Sequence, residues 1–125
     1  MVVDGLSILV VDDDVEMCKM MNKFLRKEGH KVKTVNSGRE AIMLAKIGEY
    51  DLVLCDIAMP GVYGYDVVEA LNKLEKRPKI GIITGWGENV KPVDEEGYNV
   101  DFITKKPFDF EELTKKIYEL FGNAS

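Results

Sequence analysis

Apolar and polar positions alternate along this chain in two rhythms. Short apolar blocks recur at Ile8 to Val11, Asp51 to Asp56 and Lys79 to Thr84. They are too short for helices and read as strands buried on both faces. Lys31 to Val35 alternates as a shorter strand, and Val100 to Ile103 supplies a fifth. Between them the period lengthens. Residues 15–28 place Met17, Met20, Met21, Phe24 and Leu25 on one helical stripe, with Asp14 as N-cap and Gly29 positioned to end the helix. Ser37-Gly38-Arg39-Glu40 has capping-box spacing and opens a helix to about Ile47. Residues 64–76 face Val67, Val68, Leu71 and Leu74 inward, and Pro78 stops them. Asp109 and Glu112 repeat the capping pattern before a last helix carrying Leu113, Ile117, Leu120 and Phe121, with Gly122 beyond it. The stretch "ENVKPVDEEGYN", residues 88–99, makes a poor helix, because it holds Pro92 and Gly97 and lacks an apolar stripe.

Strands joined by crossover helices build a parallel sheet with helices on both faces. Such sheets hold their ligands at the carboxyl ends of the strands. Asp12 and Asp13 follow the first strand, Asp56 ends the third, Thr84 ends the fourth and Lys106 follows the fifth. Strand direction alone brings these five residues to one edge.

Composition narrows the field. The 125 residues fit one domain, residues 1–125, without a linker or an output domain. A net charge of −5 argues against a nucleic-acid-binding surface. No apolar run is long enough to span a membrane and no signal-like N-terminus is present, so a cytoplasmic location is expected. Cys18 and Cys55 are well separated and read as buried reduced thiols.

The run "VVDDD" needs a chemical reason, since adjacent carboxylates repel and raise one another's pKa. Capping by Asp14 explains one of the three. A hard divalent cation explains the others: Mg²⁺ takes oxygen ligands, keeps several waters, and uses one or two carboxylates with a phosphate. Asp12, Asp13 and Asp56 form a suitable cup. Lys106 and Thr84, each ordinary alone, could neutralise and hydrogen-bond phosphoryl oxygens at that edge.

The sequence resembles response-regulator receiver domains of two-component signalling. The family's acidic pair matches Asp12 and Asp13, its phosphoacceptor matches Asp56 in "LVLCDIAMPG", its hydroxyl residue matches Thr84 in "GIITGWG", and its Lys-Pro pair matches Lys106-Pro107 in "KKPFDFEEL". The resemblance implies an α/β fold: a five-stranded parallel sheet, helices on both faces, flavodoxin-like and doubly wound in strand order 2-1-3-4-5. It further implies that Asp56 accepts a phosphoryl group from a histidine kinase or phosphotransfer protein. Mg²⁺, or Mn²⁺ in its place, would be bound by Asp12, Asp13, Asp56 and the backbone carbonyl of Ala58. Thr84 and Lys106 would stabilise the phosphoryl group, and a cis Lys106–Pro107 bond would aim the lysine. Such a domain promotes only its own phosphorylation and dephosphorylation and is not a turnover enzyme. It passes the signal to a downstream target, as a monomer or weak dimer, without contacting membrane or nucleic acid.

Several positions depart from the family pattern. Tyr63 stands where an acidic residue is usual. Ala58 and Trp86 flank the path to the phosphoryl group and cannot orient an attacking water, which predicts a long-lived phosphorylated form. The switch pair would be Thr84 with an aromatic three residues before the conserved lysine; Ile103 stands there, and Phe102 is its neighbour. Three other readings are weighed against the receiver. A haloacid-dehalogenase-like aspartyl phosphatase needs a second acid where Ala58 stands. A flavodoxin-like binding module needs a hydroxyl-rich phosphate loop where three aspartates stand. A degenerate receiver acting as a scaffold would not need all five chemical positions intact.

Overall fold

The computed structural model describes residues 3–57, 64–85 and 99–122. Within them the chain runs β1 (Ser7–Val11), α1 (Val15–Lys27), β2 (Lys31–Val35), α2 (Gly38–Ile47), β3 (Leu52–Asp56), α3 (Gly64–Asn72), β4 (Lys79–Thr84), β5 (Phe102–Lys105) and α4 (Phe110–Phe121). The strands form one parallel sheet in the order β2-β1-β3-β4-β5, as expected.

Alternation along the central strands divides the core in two. Leu9, Val11, Val53, Cys55, Ile80 and Ile82 pack with Ala41 and Ala45 of α2 and Val67, Val68 and Leu71 of α3. Ile8, Val10, Leu52, Leu54 and Ile83 pack with Cys18, Met21 and Leu25 of α1 and Leu113 and Ile117 of α4. Every residue of β3 is buried, which is why it is apolar without alternation up to its last residue, Asp56.

Local chemistry sets the element ends. Asp14 caps α1 by accepting the N–H of Glu16 and of Met17, at 3.0 and 3.3 Å. At the other end Gly29 takes φ +95°. Its N–H donates to Arg26 O at 3.0 Å and the next N–H, of His30, donates to Leu25 O at 3.1 Å. These two bonds make a Schellman motif, and the positive φ is what requires glycine. Ser37 caps α2 through Glu40 N–H and Asp109 caps α4 through Glu112 N–H.

Two elements differ from the sequence expectation by more than one residue. Helix α3 stops at Asn72, not at residue 76. Lys73 and Leu74 donate three residues back, to Ala70 and Leu71, which tightens the last turn. Asn72 then turns to Arg77 and to the carbonyl of Asn99. Strand β5 covers Phe102–Lys105 in place of Val100 to Ile103. Asp101 is the cause: its N–H donates to Ile80 O at 2.7 Å while its carboxylate accepts Ile80 N–H at 2.7 Å and Arg77 Nη1 at 3.2 Å. Asp101 therefore anchors the strand's entry, and the regular ladder starts one residue later.

Candidate functional site

The carboxyl ends of β1, β3, β4 and β5 meet at one edge of the sheet. Asp12 lies just beyond β1 and is 1% exposed, and Asp56, the last residue of β3, is 6% exposed. Asp13 is exposed. One carboxylate oxygen from each of Asp12, Asp13 and Asp56 lies within 4.8 Å of the others, close enough to share one cation. An all-oxygen, acidic donor set of this kind suits Mg²⁺.

Lys106 closes the edge. Its N–H donates to Thr84 O at 2.7 Å, and its peptide bond to Pro107 is cis. Its ammonium lies 3.3 Å from Asp12 Oδ2 and 3.3 Å from Asp56 Oδ2. The preceding Lys105 is exposed, so of the two adjacent lysines only the second enters the site. Thr84 is buried at the end of β4, one residue beyond Ile83, the ladder partner of Asp56.

The electrostatics follow from burial. Burial pushes the Asp12 carboxyl up to about 6; the Asp14 N–H at 2.9 Å opposes this, and the charge of Asp56 adds to it. Burial alone would lower the pKa of Lys106. The carboxylates of Asp12 and Asp56 outweigh it and hold the ammonium above its ordinary value. The site thus carries an excess of negative charge that one lysine only partly offsets.

Other groups have been placed or set apart. Phe102 and Ile103 lie on opposite faces of β5: Phe102 packs with the α1–α4 core and Ile103 with the α2–α3 core. The Phe102 ring covers Gly81 so closely that a Cβ there would lie 2.4 Å from Cζ. Ile103 sits opposite Ile82, on the face of Thr84, whereas Phe102 does not. Ala58, Trp86, Tyr63 and nearly all of the 88–99 stretch lie outside the described residues. Cys18 and Cys55 are free and buried. Burial, with the nearby Asp12 charge, pushes the Cys18 thiol up to about 11.

Sequence reasoning did not find two groups that hold Asp12. Asn36 Nδ2 donates to Asp12 O at 3.1 Å, and Cys18 Sγ donates to the same carbonyl at 3.3 Å. The one available signal was position, since Asn36 directly follows β2 and so lies at the same sheet edge. Beside the cup, Met17, Met20, Gly85, Lys106, Pro107, Phe108 and Phe110 line an apolar hollow of about 400 Å³.

A family model described as the response regulator receiver domain matches residues 8–118. The chain belongs to the response-regulator receiver-domain family. Among curated relatives, this receiver is 33% identical over 121 residues to the transcriptional regulatory protein TcrA of Mycobacterium tuberculosis, covering 94% of this chain and 47% of that protein. It is 35% identical over 120 residues to a CpxR homolog of Haemophilus influenzae, covering 95% and 52%. The receiver thus spans about half the length of the curated relatives it matches. Among solved structures, a CheY-like receiver from Methanospirillum hungatei superposes with TM-score 0.80 at 32% identity, over 92% of this chain and 93% of that one. The response regulator TrrA of Thermotoga maritima, solved in complex with Mg²⁺-BeF, gives TM-score 0.80 at 34% identity, over 91% and 97%. Residues 8–118 form a receiver domain of the response-regulator kind, consistent with two-component signalling. No helix among the described residues is long and apolar enough to cross a membrane.

Proposed function

We propose that residues 1–125 act as one phosphoacceptor domain. A carboxylate oxygen of Asp56 attacks the phosphorus of a partner's phosphohistidine, and the P–N bond breaks with its electron pair passing to the ring nitrogen; the imidazole, already protonated on its other nitrogen, leaves as the neutral base. The partner is a histidine kinase or a phosphotransfer protein. Lys106 follows the charge from the carboxylate to a phosphoryl oxygen, and the Thr84 hydroxyl donates to another. Mg²⁺, when bound, would supply positive charge to offset the carboxylates and the incoming phosphoryl group. Asp13 would hold it directly and Asp12 chiefly through water, with Asp56 and, by the family resemblance, the Ala58 carbonyl as further oxygen donors. Mn²⁺ can take its place. The beryllium fluoride on TrrA, tetrahedral like a phosphoryl group, supports this reading. The apolar hollow, with its two adaptable methionines, offers a partner a surface beside the acceptor.

The observation that carries the reading is one ammonium 3.3 Å from each of two buried carboxylates, at the carboxyl ends of two central strands. The test is incubation with Mg²⁺ and acetyl phosphate, followed by intact mass. One phosphoryl group should add to the wild type and none to Asp56→Ala. Uptake that persists in Asp56→Ala, or no uptake by the wild type, overturns the assignment.

A further inference from the structure

Every polar atom of Asp12 is engaged. Its N–H donates to Val35 O at 3.1 Å, Oδ1 accepts from Asp14 N–H, and Oδ2 faces Lys106. Its carbonyl is held twice, by the Asn36 amide at 3.1 Å and the Cys18 thiol at 3.3 Å. The same Asn36 amide lies 3.5 Å from Cys18 Sγ. Nδ2 carries two hydrogens, so it can donate one to the carbonyl and one to the sulfur. The three groups form a closed triangle at the end of β1.

We infer that Asn36 is a positioning residue for the metal cup, acting through the Asp12 carbonyl on the direction of the Asp13 carboxylate. The carbonyl of Asp12 and the N–H of Asp13 belong to one planar unit. Fixing the oxygen of that plane fixes the direction in which the chain leaves it toward the Asp13 Cα. Asp13 is exposed, and among the described residues no donor is seated on its carboxylate. Its aim therefore depends on its backbone. Asp12 is held by its own side-chain bonds; Asp13 is held by the peptide that Asn36 and Cys18 grip.

Three features separate this role from a general structural one. Asn36 is itself exposed, so removing its amide leaves no group of its own buried and unpaired. The Asp12 carbonyl also keeps the Cys18 donor, so its desolvation stays compensated. Nor does Asn36 cap α2, since Ser37 does that. What is lost is one of two restraints on a plane.

This inference rests on reading Asp12, Asp13 and Asp56 as a Mg²⁺ cup, and the test keeps the two apart. Mg²⁺ is titrated into the wild type, Asn36→Leu and Asn36→Ala, well below their melting temperatures, following the backbone amide resonances around Asp13. Phosphoryl uptake from acetyl phosphate is measured across the same Mg²⁺ range. Both variants lack the donor but differ in bulk. Both should need about five-fold more Mg²⁺ for half-saturation, as expected if the loosened plane leaves Asp13 correctly aimed about one-fifth of the time. Uptake at saturating Mg²⁺ should match the wild type, and melting in chelator should shift by no more than a few degrees. Unchanged half-saturation overturns the inference. So does a change in one variant alone, which would implicate bulk, or a fall in chelator melting of more than about ten degrees, which would mark a general loss of structure. A wild type that binds no Mg²⁺ overturns the cup itself, which is a different failure from variants that match a Mg²⁺-binding wild type.

Discussion

At the scale of single residues, the buried charge of Asp12 sets a pH dependence. Its pKa rises from an ordinary 3.8 to about 6 on folding, chiefly by burial. Between those values the native state holds a proton that the unfolded chain has lost, so this contribution to stability falls as pH rises through roughly 4 to 6. His30 runs the other way. Burial lowers its pKa, and its Nδ1 accepts the Leu6 N–H at 3.2 Å, a bond open only to the neutral ring. Its contribution is lost as pH falls below 6.5. Comparing the wild type with Asp12→Asn in chelator cancels the histidine, which both proteins share. Urea denaturation from pH 4 to 7 should show the variant gaining on the wild type up to about pH 6, by on the order of 1–3 kcal/mol. A gap that stays flat with pH would refute the burial argument. Thr104 gives a simpler case. It is 1% exposed, and among the described residues its Oγ1 has no hydrogen-bond partner. Thr104→Val keeps the shape and removes the orphan hydroxyl, so stability should rise by about 1 kcal/mol with Mg²⁺ affinity unchanged. A fall in melting temperature would mean that the hydroxyl is satisfied.

At the scale of elements, β4 and β5 are registered by a ring fitted over a glycine. Gly81 pairs with Phe102 in the ladder, and the ring fills the space where a side chain would stand. Lys116 of α4 lies 5.9 Å above the same ring, so Phe102 also marks where α4 docks. Gly81→Ala should cost about 1–3 kcal/mol by overpacking, and Phe102→Leu should recover part of that loss in the double variant. Additive losses would show that the two do not share that space. This packing also bears on what the sequence could reveal. The apolar run around Phe102 announced a strand, and the strand is there. Its register was hidden, because Asp101 acts through its side chain and backbone together at the strand entry, and neither bond leaves a mark in an apolar pattern. The last residues of the 64–76 stretch were misread for a similar reason: the stripe continues to Leu74, but Asn72 and Arg77 turn the chain away. That Asp12, Asp13, Asp56, Thr84 and Lys106 lie at one edge was legible because parallel topology alone sends strand ends there. Asn36 was not, because a polar residue after a strand looks like any loop residue until its partner is known.

At the scale of the whole molecule, the charge stored in the cup should appear as metal-dependent stability. Asp12, Asp13 and Asp56 bring their oxygens within 4.8 Å of one another in a chain of net charge −5. Two are buried, and Lys106 is the cation held between them. The unfolded chain separates these groups, so a cation that needs all of them binds the native state alone. Mg²⁺ at ten times its dissociation constant should then stabilise the fold by about 1.4 kcal/mol, raising the melting temperature by several degrees. Asp13→Asn separates repulsion from binding. Without metal it removes one of three like charges and should leave the apo protein as stable as the wild type or more so. With metal it lacks the exposed ligand, and the Mg²⁺-dependent rise should nearly vanish. The two melting curves should therefore exchange order as Mg²⁺ is added: the variant equal or higher in chelator, the wild type higher at saturating Mg²⁺. Curves that rise in parallel would place the ion away from Asp13. An apo variant well below the wild type would mean that Asp13 makes a native contact of its own and that like-charge repulsion does not govern the empty cup.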